Sequence, residues 1–214
     1  MVKIAIDLEM TCPTRRNSIV EVIEIGAVKL DDNYNIVDTF QTYVRPIYVE
    51  NIGDKCTQLT GITVNMVDNA PRFLEAINKF IDWIKSPAAI LYEWSESDHK
   101  QLNDEYCRLT GLPELPPPIN TWVNAQVLFN KAFGVKQRTN LTQALNIAGI
   151  EFDGREHSAL YDAINTARLI AVINDNNYMK SRNAALEKLF NSKNETFGAS
   201  IGDILKYKLK INSN

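Results

Sequence analysis

The chain has 214 residues, 45% of them hydrophobic and 23% charged, which gives one substantial domain enough apolar material for a core and argues against long disorder. Lys and Arg number 23 against 26 Asp and Glu, so the net charge of −3 excludes a broad basic face for long duplex nucleic acid and leaves only a local basic rim. Three cysteines (Cys12, Cys56 and Cys107) without C-x-x-C spacing speak against a disulfide framework or zinc site and fit a reducing, cytoplasmic setting. No run of about 18 apolar residues suggests a membrane span, and Met1 leads into a strand rather than a signal peptide.

Residues 2–9 (VKIAIDLE) read as an interior strand that ends in two acids. Alternation puts Ala5, Asp7 and Glu9 on one face and Ile4, Ile6 and Leu8 on the other. Two unpaired carboxylates on such a strand cost several kcal/mol each unless a cation meets them, and a divalent metal is the obvious candidate. A polar loop over residues 11–18 follows, then a long β-branched stretch over 19–30 that reads as a second strand. Turn residues at 31–35 and renewed alternation over 36–44 complete an antiparallel hairpin.

The segment to Asn69 reads as loop with short helical turns and contains LTGIT at residues 59–63. Apolar residues at Phe73, Leu74, Ile77, Phe80, Ile81 and Ile84 keep the helical period over 71–84. Residues 88–92 form a short apolar strand, 101–109 a helix before Gly111, and 119–123 a fifth strand beyond the stiff Pro116-Pro117-Pro118 connector. Helices are expected over 125–133 and 141–148, with Gly149 ending the latter, and over 158–173 with Ser158 as N-cap. Beyond Asp175 the chain turns polar, with one further helix around 184–190. This order gives an α/β chain with a mixed five-stranded sheet and helices on both faces, its first strand central, its hairpin on one side and its parallel strands on the other. The domain spans 1–175 and a partly helical extension packed on it spans 176–214. A site is expected at the C-terminal end of the first strand.

Four acids and one histidine stand out there. Asp7 and Glu9 share the first strand, Asp98 follows the 88–92 strand, and Asp162 lies one turn inside the last long helix among Ser158, Ala159, Asn165 and Thr166, whose small side chains let that face press on the sheet. Each acid alone has an ordinary reading as a surface or helix-terminal residue. His157 precedes Asp162 by five residues, about 140° around one continuous helix. In a loop before the helix it could fold back over Asp162 as a base. His99 reads as an exposed helix residue.

The combination of DLEMTC at residues 7–12, Asp98, and HSALYD at 157–162 resembles the DEDDh family of 3'-to-5' exonucleases, whose fold is ribonuclease H-like. DTFQTYVRP and LTGIT make it similar to the Eri1/KapD-like, RNA-trimming branch. The resemblance covers roughly residues 1–173 and spares the tail after Asp175. It implies phosphodiester hydrolysis with two Mg2+ ions, for which Mn2+ can substitute. Asp7 would bridge both ions, Glu9 and Asp162 would complete the site of the ion that activates water, Asp98 would serve the second ion, and His157 would take the proton. It further implies that Glu9, Met10, Thr11, Leu59 and His157 bind the terminal nucleotide. Spacing to Cys107 favours Asp98 over Glu96, and Tyr161 stands where RNA-trimming relatives often carry an acid.

The expected function is a metal-dependent exonuclease that releases nucleoside 5'-monophosphates from single-stranded 3' ends, RNA first. Single-stranded DNA or mixed oligonucleotides are the alternative substrates, and a non-catalytic nucleic-acid-binding module is the competing class. Lys131, Lys136 and Arg138 are candidates for a basic rim, or for a solvated charged face. The expected localisation is cytoplasmic, with no membrane association.

Overall fold

The computed structural model describes residues 1–12 and 19–191, so residues 13–18 of the expected polar loop and residues 192–214 of the expected extension lie outside the described residues. The elements run β1 (Val2–Met10), β2 (Val22–Leu30), β3 (Ile36–Tyr43), a 3-10 turn (Val49–Asn51), α1 (Asp54–Thr60), α2 (Val64–Val67), α3 (Phe73–Ile84) and β4 (Ala89–Glu93). They continue α4 (Ser97–Thr110), β5 (Trp122–Asn124), α5 (Ala125–Phe133), α6 (Leu141–Ile147), α7 (Ala159–Asn174) and α8 (Asn176–Asn191). The five strands form one mixed sheet in the order β3-β2-β1-β4-β5, with β1 at its centre. β1 runs antiparallel to β2 and parallel to β4, and β4 runs parallel to β5. No helix among the described residues is long and apolar enough to cross a membrane.

Alternation along β1 divides the interior into two layers. Ile4, Ile6 and Leu8 face Phe73, Ile77, Phe80 and Ile84 of α3 and Leu102 of α4. Ala5, on the opposite face, joins Phe129 and Phe133 of α5, Leu145 of α6 and Leu169 and Ile170 of α7. Each fully buried large apolar side chain contributes about 1.5–3 kcal/mol, so both faces of the strand are held against rotation or slippage. The two acids at its end inherit that rigidity.

Several boundaries differ from the sequence reading for visible reasons. The second strand begins at Val22 rather than residue 19, because the Val22 N–H is taken by the buried Glu105 carboxylate at 2.8 Å. Just before it, the Glu21 carboxylate accepts the N–H groups of Ile47 and Tyr48, both at 2.9 Å. The helix that continues over residues 101–109 starts at Ser97, inside the 94–98 stretch where the sequence hands a strand over to a helix, and the Glu93 carboxylate supports its first turn by accepting the His99 N–H at 2.8 Å. The final helix starts at Asn176 rather than residue 184, with the Asp175 side chain accepting from Asn177 and Tyr178 at 2.8 and 3.1 Å. It is fixed to the domain by the Tyr178 hydroxyl, which donates to the Ala148 carbonyl, and by Arg182, which donates to the Phe133 carbonyl at 3.2 Å and lies over its ring.

The approach of α7 to the sheet depends on one missing side chain. Gly26 pairs with Asp7 across β1 and β2, and a Cβ there would lie 2.1 Å from the Ala159 carbonyl carbon and the Leu160 nitrogen. Both atoms are backbone, so no side-chain rotation relieves the overlap. Gly26→Ala is therefore expected to destabilise the protein by about 3 kcal/mol in urea unfolding, whereas Gly53→Ala, with nothing within 4 Å, stays within about 1 kcal/mol of wild type.

Candidate active site

β4 pairs with β1 only as far as Ala5, so Asp7 and Glu9 project past the end of the parallel pairing, where α4 and α7 begin. Glu9 and Asp98 are buried, while Asp7 and Asp162 are half-buried. The four carboxylates face one another. Asp7 is pushed well above the usual carboxylate range, first by burial and then by the charges of Asp98, Asp162, Glu9 and Glu24. Glu9 is pushed up to about 8, by burial and then by Asp162 and Glu24, with Arg155 opposing. Asp98 is raised by burial and by Glu93, Glu9 and Asp162, and Asp162 rises to about 7, mainly through burial.

His157 lies in the loop before α7, and its ring folds back over the acids as the sequence reading allowed. A ring nitrogen of His157 and carboxylate oxygens of Glu9 and Asp162 all lie within 4.8 Å of one another. The His157 backbone N–H lies near the Asp162 carboxylate and opposes the rise that burial gives that acid. The loop is tied to α7 by fully buried Asn165, which exchanges hydrogen bonds of 3.0 and 2.9 Å with the backbone of Asp153. It is tied to α6 by Thr142, which donates to Glu156 at 3.1 Å. Asp98 rather than Glu96 joins the cluster, since Glu96 is exposed.

Two buried acids beside the cluster escaped the sequence reading. Glu24 sits opposite Glu9 in the β1–β2 register, accepts from Gln41 at 2.5 Å, and accepts the Ala159 N–H at 3.2 Å. It performs the role expected of Ser158, which occupies the N-cap position but makes no capping hydrogen bond. Glu93 ends β4 and is pushed up to about 7, mainly by burial, beside Asp98. The available signal was a lone acid within an otherwise apolar strand, in VIEIGAV and in AILYE. His99 also departs from expectation. It is half-buried and stacked on Trp122 at 4.9 Å between ring centres.

The residues expected to touch substrate fall into two groups. The Thr11 side chain is buried and accepts from the Glu21 N–H at 3.0 Å, so its hydroxyl serves the junction of β1 and β2. Half-buried Met10 and Leu59, which is 46% exposed, retain free surface. Leu59 belongs to helix α1 rather than to a loop. The Met10 carbonyl accepts from Cys12 and Cys56 at 3.8 and 3.6 Å, which holds the end of β1 against α1. Lys131, Lys136 and Arg138 are exposed, and Arg138 borders a cavity of about 360 Å³ with Trp94, Gln126 and Gln143.

The exonuclease (RNase_T) family model matches residues 4–170. The chain belongs to that family. It is 35% identical over 175 residues to human 3'-5' exoribonuclease 1, with 77% of this chain and 50% of the relative covered. It is 32% identical over 189 residues to ERI1 exoribonuclease 2 of Xenopus laevis, covering 78% of this chain and 27% of that one. The chain thus spans half or less of the length of these relatives. Among solved structures it is similar to the nuclease domain of 3'hExo, a DEDDh family member, bound to rAMP, with a TM-score of 0.73, 32% identity, and 83% and 94% of the two chains covered. It is also similar to a 3'-exonuclease in 3'-end specific recognition of histone mRNA stem-loop, with a TM-score of 0.74, 31% identity, and 83% and 65% covered. The ribonuclease H-like architecture expected from the sequence is therefore the observed one.

The donor set fits a divalent cation of the oxygen-preferring kind, because four carboxylates converge and their repulsion is left for a cation to relieve. The sign of the pH dependence follows. These acids hold their protons to higher pH in the folded state than their ordinary values of 3.8 and 4.5, so their contribution is complete below those values and lost as pH rises through about 7 and 8. Thermal unfolding of metal-free protein should show a midpoint that falls between about pH 5 and about pH 8, with millimolar Mg2+ raising it more at the upper end. A metal-independent midpoint at the upper pH would contradict a clustered cation site.

Proposed function

We propose that the chain is a metal-dependent 3'-to-5' exonuclease that hydrolyses phosphodiester bonds at single-stranded 3' ends, RNA in preference to DNA, and releases nucleoside 5'-monophosphates. The observation that carries this reading is the meeting of Asp7, Glu9, Asp98 and Asp162, with the His157 ring beside Glu9 and Asp162, in a chain of the exonuclease family. The preference for RNA rests on the similarity to exoribonucleases.

Asp7, Glu9, Asp98 and Asp162 would hold two Mg2+ or Mn2+ ions, which supply Lewis acidity that makes water nucleophilic at neutral pH and offsets charge on the phosphoryl oxygens. His157 accepts the proton of the attacking water at a ring nitrogen. Its exposure lets it exchange that proton with solvent between turnovers. Glu9 and Asp162, flanking the ring, orient it and stabilise the imidazolium that forms. Met10 and Leu59 offer apolar surface to the terminal nucleotide, and Thr11, next to Met10 in the chain and with its side chain buried, would contribute its backbone. The net charge of −3 favours a short single-stranded end over a long duplex, with few phosphate contacts and a shallow salt dependence. The free cysteines suit a reducing compartment such as the cytoplasm.

With Mg2+ and a 5'-labelled single strand, the wild-type chain should yield a ladder shortening from the 3' end, faster on RNA than on matched DNA. His157→Ala should lower kcat by about 100-fold or more, and Asp7→Asn should reduce cleavage to background. Equal rates in all three proteins would sink the reading and favour a binding module.

A further inference from the structure

His157 adopts a backbone conformation that a residue with a side chain avoids. Its φ is 59°, in the left-handed region, which costs a non-glycine residue about 1–2 kcal/mol. A strained, exposed loop residue stays in place only if its surroundings hold it. The N–H of His157 lies near the Asp162 carboxylate, whose charge it favours. Its carbonyl accepts a hydrogen bond of 3.3 Å from Nη2 of Arg155. The hydrogen bond that fixes the His157 backbone in this conformation is therefore the one from Arg155.

Arg155 is itself held by an unusual neighbour. Gly61 ends α1 with φ 69°, two residues beyond Leu59, and a Cβ there would lie 1.9 Å from Nη1 and 2.4 Å from Cζ and Nη2 of Arg155. The guanidinium plane thus lies directly on the Gly61 backbone. The group borders a cavity of about 210 Å³ that Glu24, Gln41, Tyr43 and Tyr161 also line, and among the described residues Arg155 makes no ion pair within 4.0 Å. On the other side of the loop the Tyr161 ring lies against Gly154, where a Cβ would be 2.0 Å from it.

We propose that Arg155 is a positioning residue: seated on Gly61, it holds the His157 carbonyl and so fixes the imidazole over Glu9 and Asp162, linking α1, which carries Leu59, to the proposed base. The proposal rests on the reading of the chain as a nuclease, and it specifies how the base is aimed. Arg155 acts through His157, not through substrate phosphate. An arginine that gripped phosphate would be felt in substrate affinity and its salt dependence. One that aims a base is felt in turnover, where a displacement of about 1 Å changes rates by up to about 100-fold.

Arg155→Ala and Gly61→Ala separate these roles, because the second leaves the arginine intact and only displaces its guanidinium. Both variants should lower kcat on a 3' single-stranded RNA by about 10-fold or more with KM within about twofold of wild type. In a His157→Ala background, Arg155→Ala should change kcat by less than about twofold. Amide hydrogen exchange in a peptide covering residues 155–160 should accelerate about 10-fold or more in both single variants, read without any reference to activity. A raised KM with intact kcat, an undiminished effect of Arg155→Ala without His157, or unchanged exchange would each overturn the proposal. Absence of nuclease activity in the wild-type chain would instead remove the functional reading, with the exchange rates still deciding whether Arg155 anchors the loop.

Discussion

Repulsion among buried carboxylates is the constraint around which the rest of the molecule is arranged. Asp7, Glu9, Asp98 and Asp162 meet at the end of one strand, with Glu24 and Glu93 close behind, and each of the four is shifted toward its protonated form, first by burial and then by neighbouring negative charge. Two like charges 4 Å apart at an effective dielectric of about 20 repel by about 4 kcal/mol, comparable with a large part of a domain's net stability. Such a cluster persists only where packing elsewhere fixes its members. β1 supplies that rigidity, since it is central in the sheet and covered by helices on both faces. Its own apolar side chains do the holding, and its acids are held.

The partners of β1 extend the same logic. Gly26 removes a side chain so that the start of α7 can rest on β2 beside Asp7, and Glu24 takes the first free N–H of that helix. One strand therefore sets both the height and the direction of the helix that carries Asp162. Burial of Glu24 next to Glu9 worsens the repulsion and at the same time fixes the geometry that creates it. The expected advantage of such an arrangement is a site already in place when a cation arrives, with little reorganisation left to oppose binding. Arg155 contributes from the other side, offsetting charge at Glu9 while it rests on Gly61.

The parts of this arrangement that depend on local periodicity were legible in the sequence. Alternation placed Asp7 and Glu9 on one face of the first strand, and the helical period of residues 73–84 marked α3. The small residues around Asp162 correctly indicated a helix pressed on the sheet, as the burial of Ala159, Ala163 and Thr166 bears out. Long-range register was not legible. Glu24 meets Glu9, and Ala159 meets Glu24 across 135 positions, only because two strands pair in one register among many. For the same reason Ser158 looked like the cap of its helix, although a carboxylate from β2 does that work. Thr11 looked free for substrate until its hydroxyl was found on the Glu21 N–H, and His99 looked exposed until Trp122 was found beneath it. Arg155 gave no local signal at all, since its partner Gly61 lies in a different segment of the chain.

The central claim is that the four acids form one cage for divalent cations rather than a set of neutral, protonated carboxyls. Equilibrium binding of Mn2+, followed by electron paramagnetic resonance at neutral pH with a nucleoside 5'-monophosphate present, tests it most directly. Saturable uptake of two Mn2+ per chain, lost on Asp7→Asn and retained in Glu96→Gln, is the predicted result. Uptake that never saturates, or that is unchanged by Asp7→Asn, would contradict it.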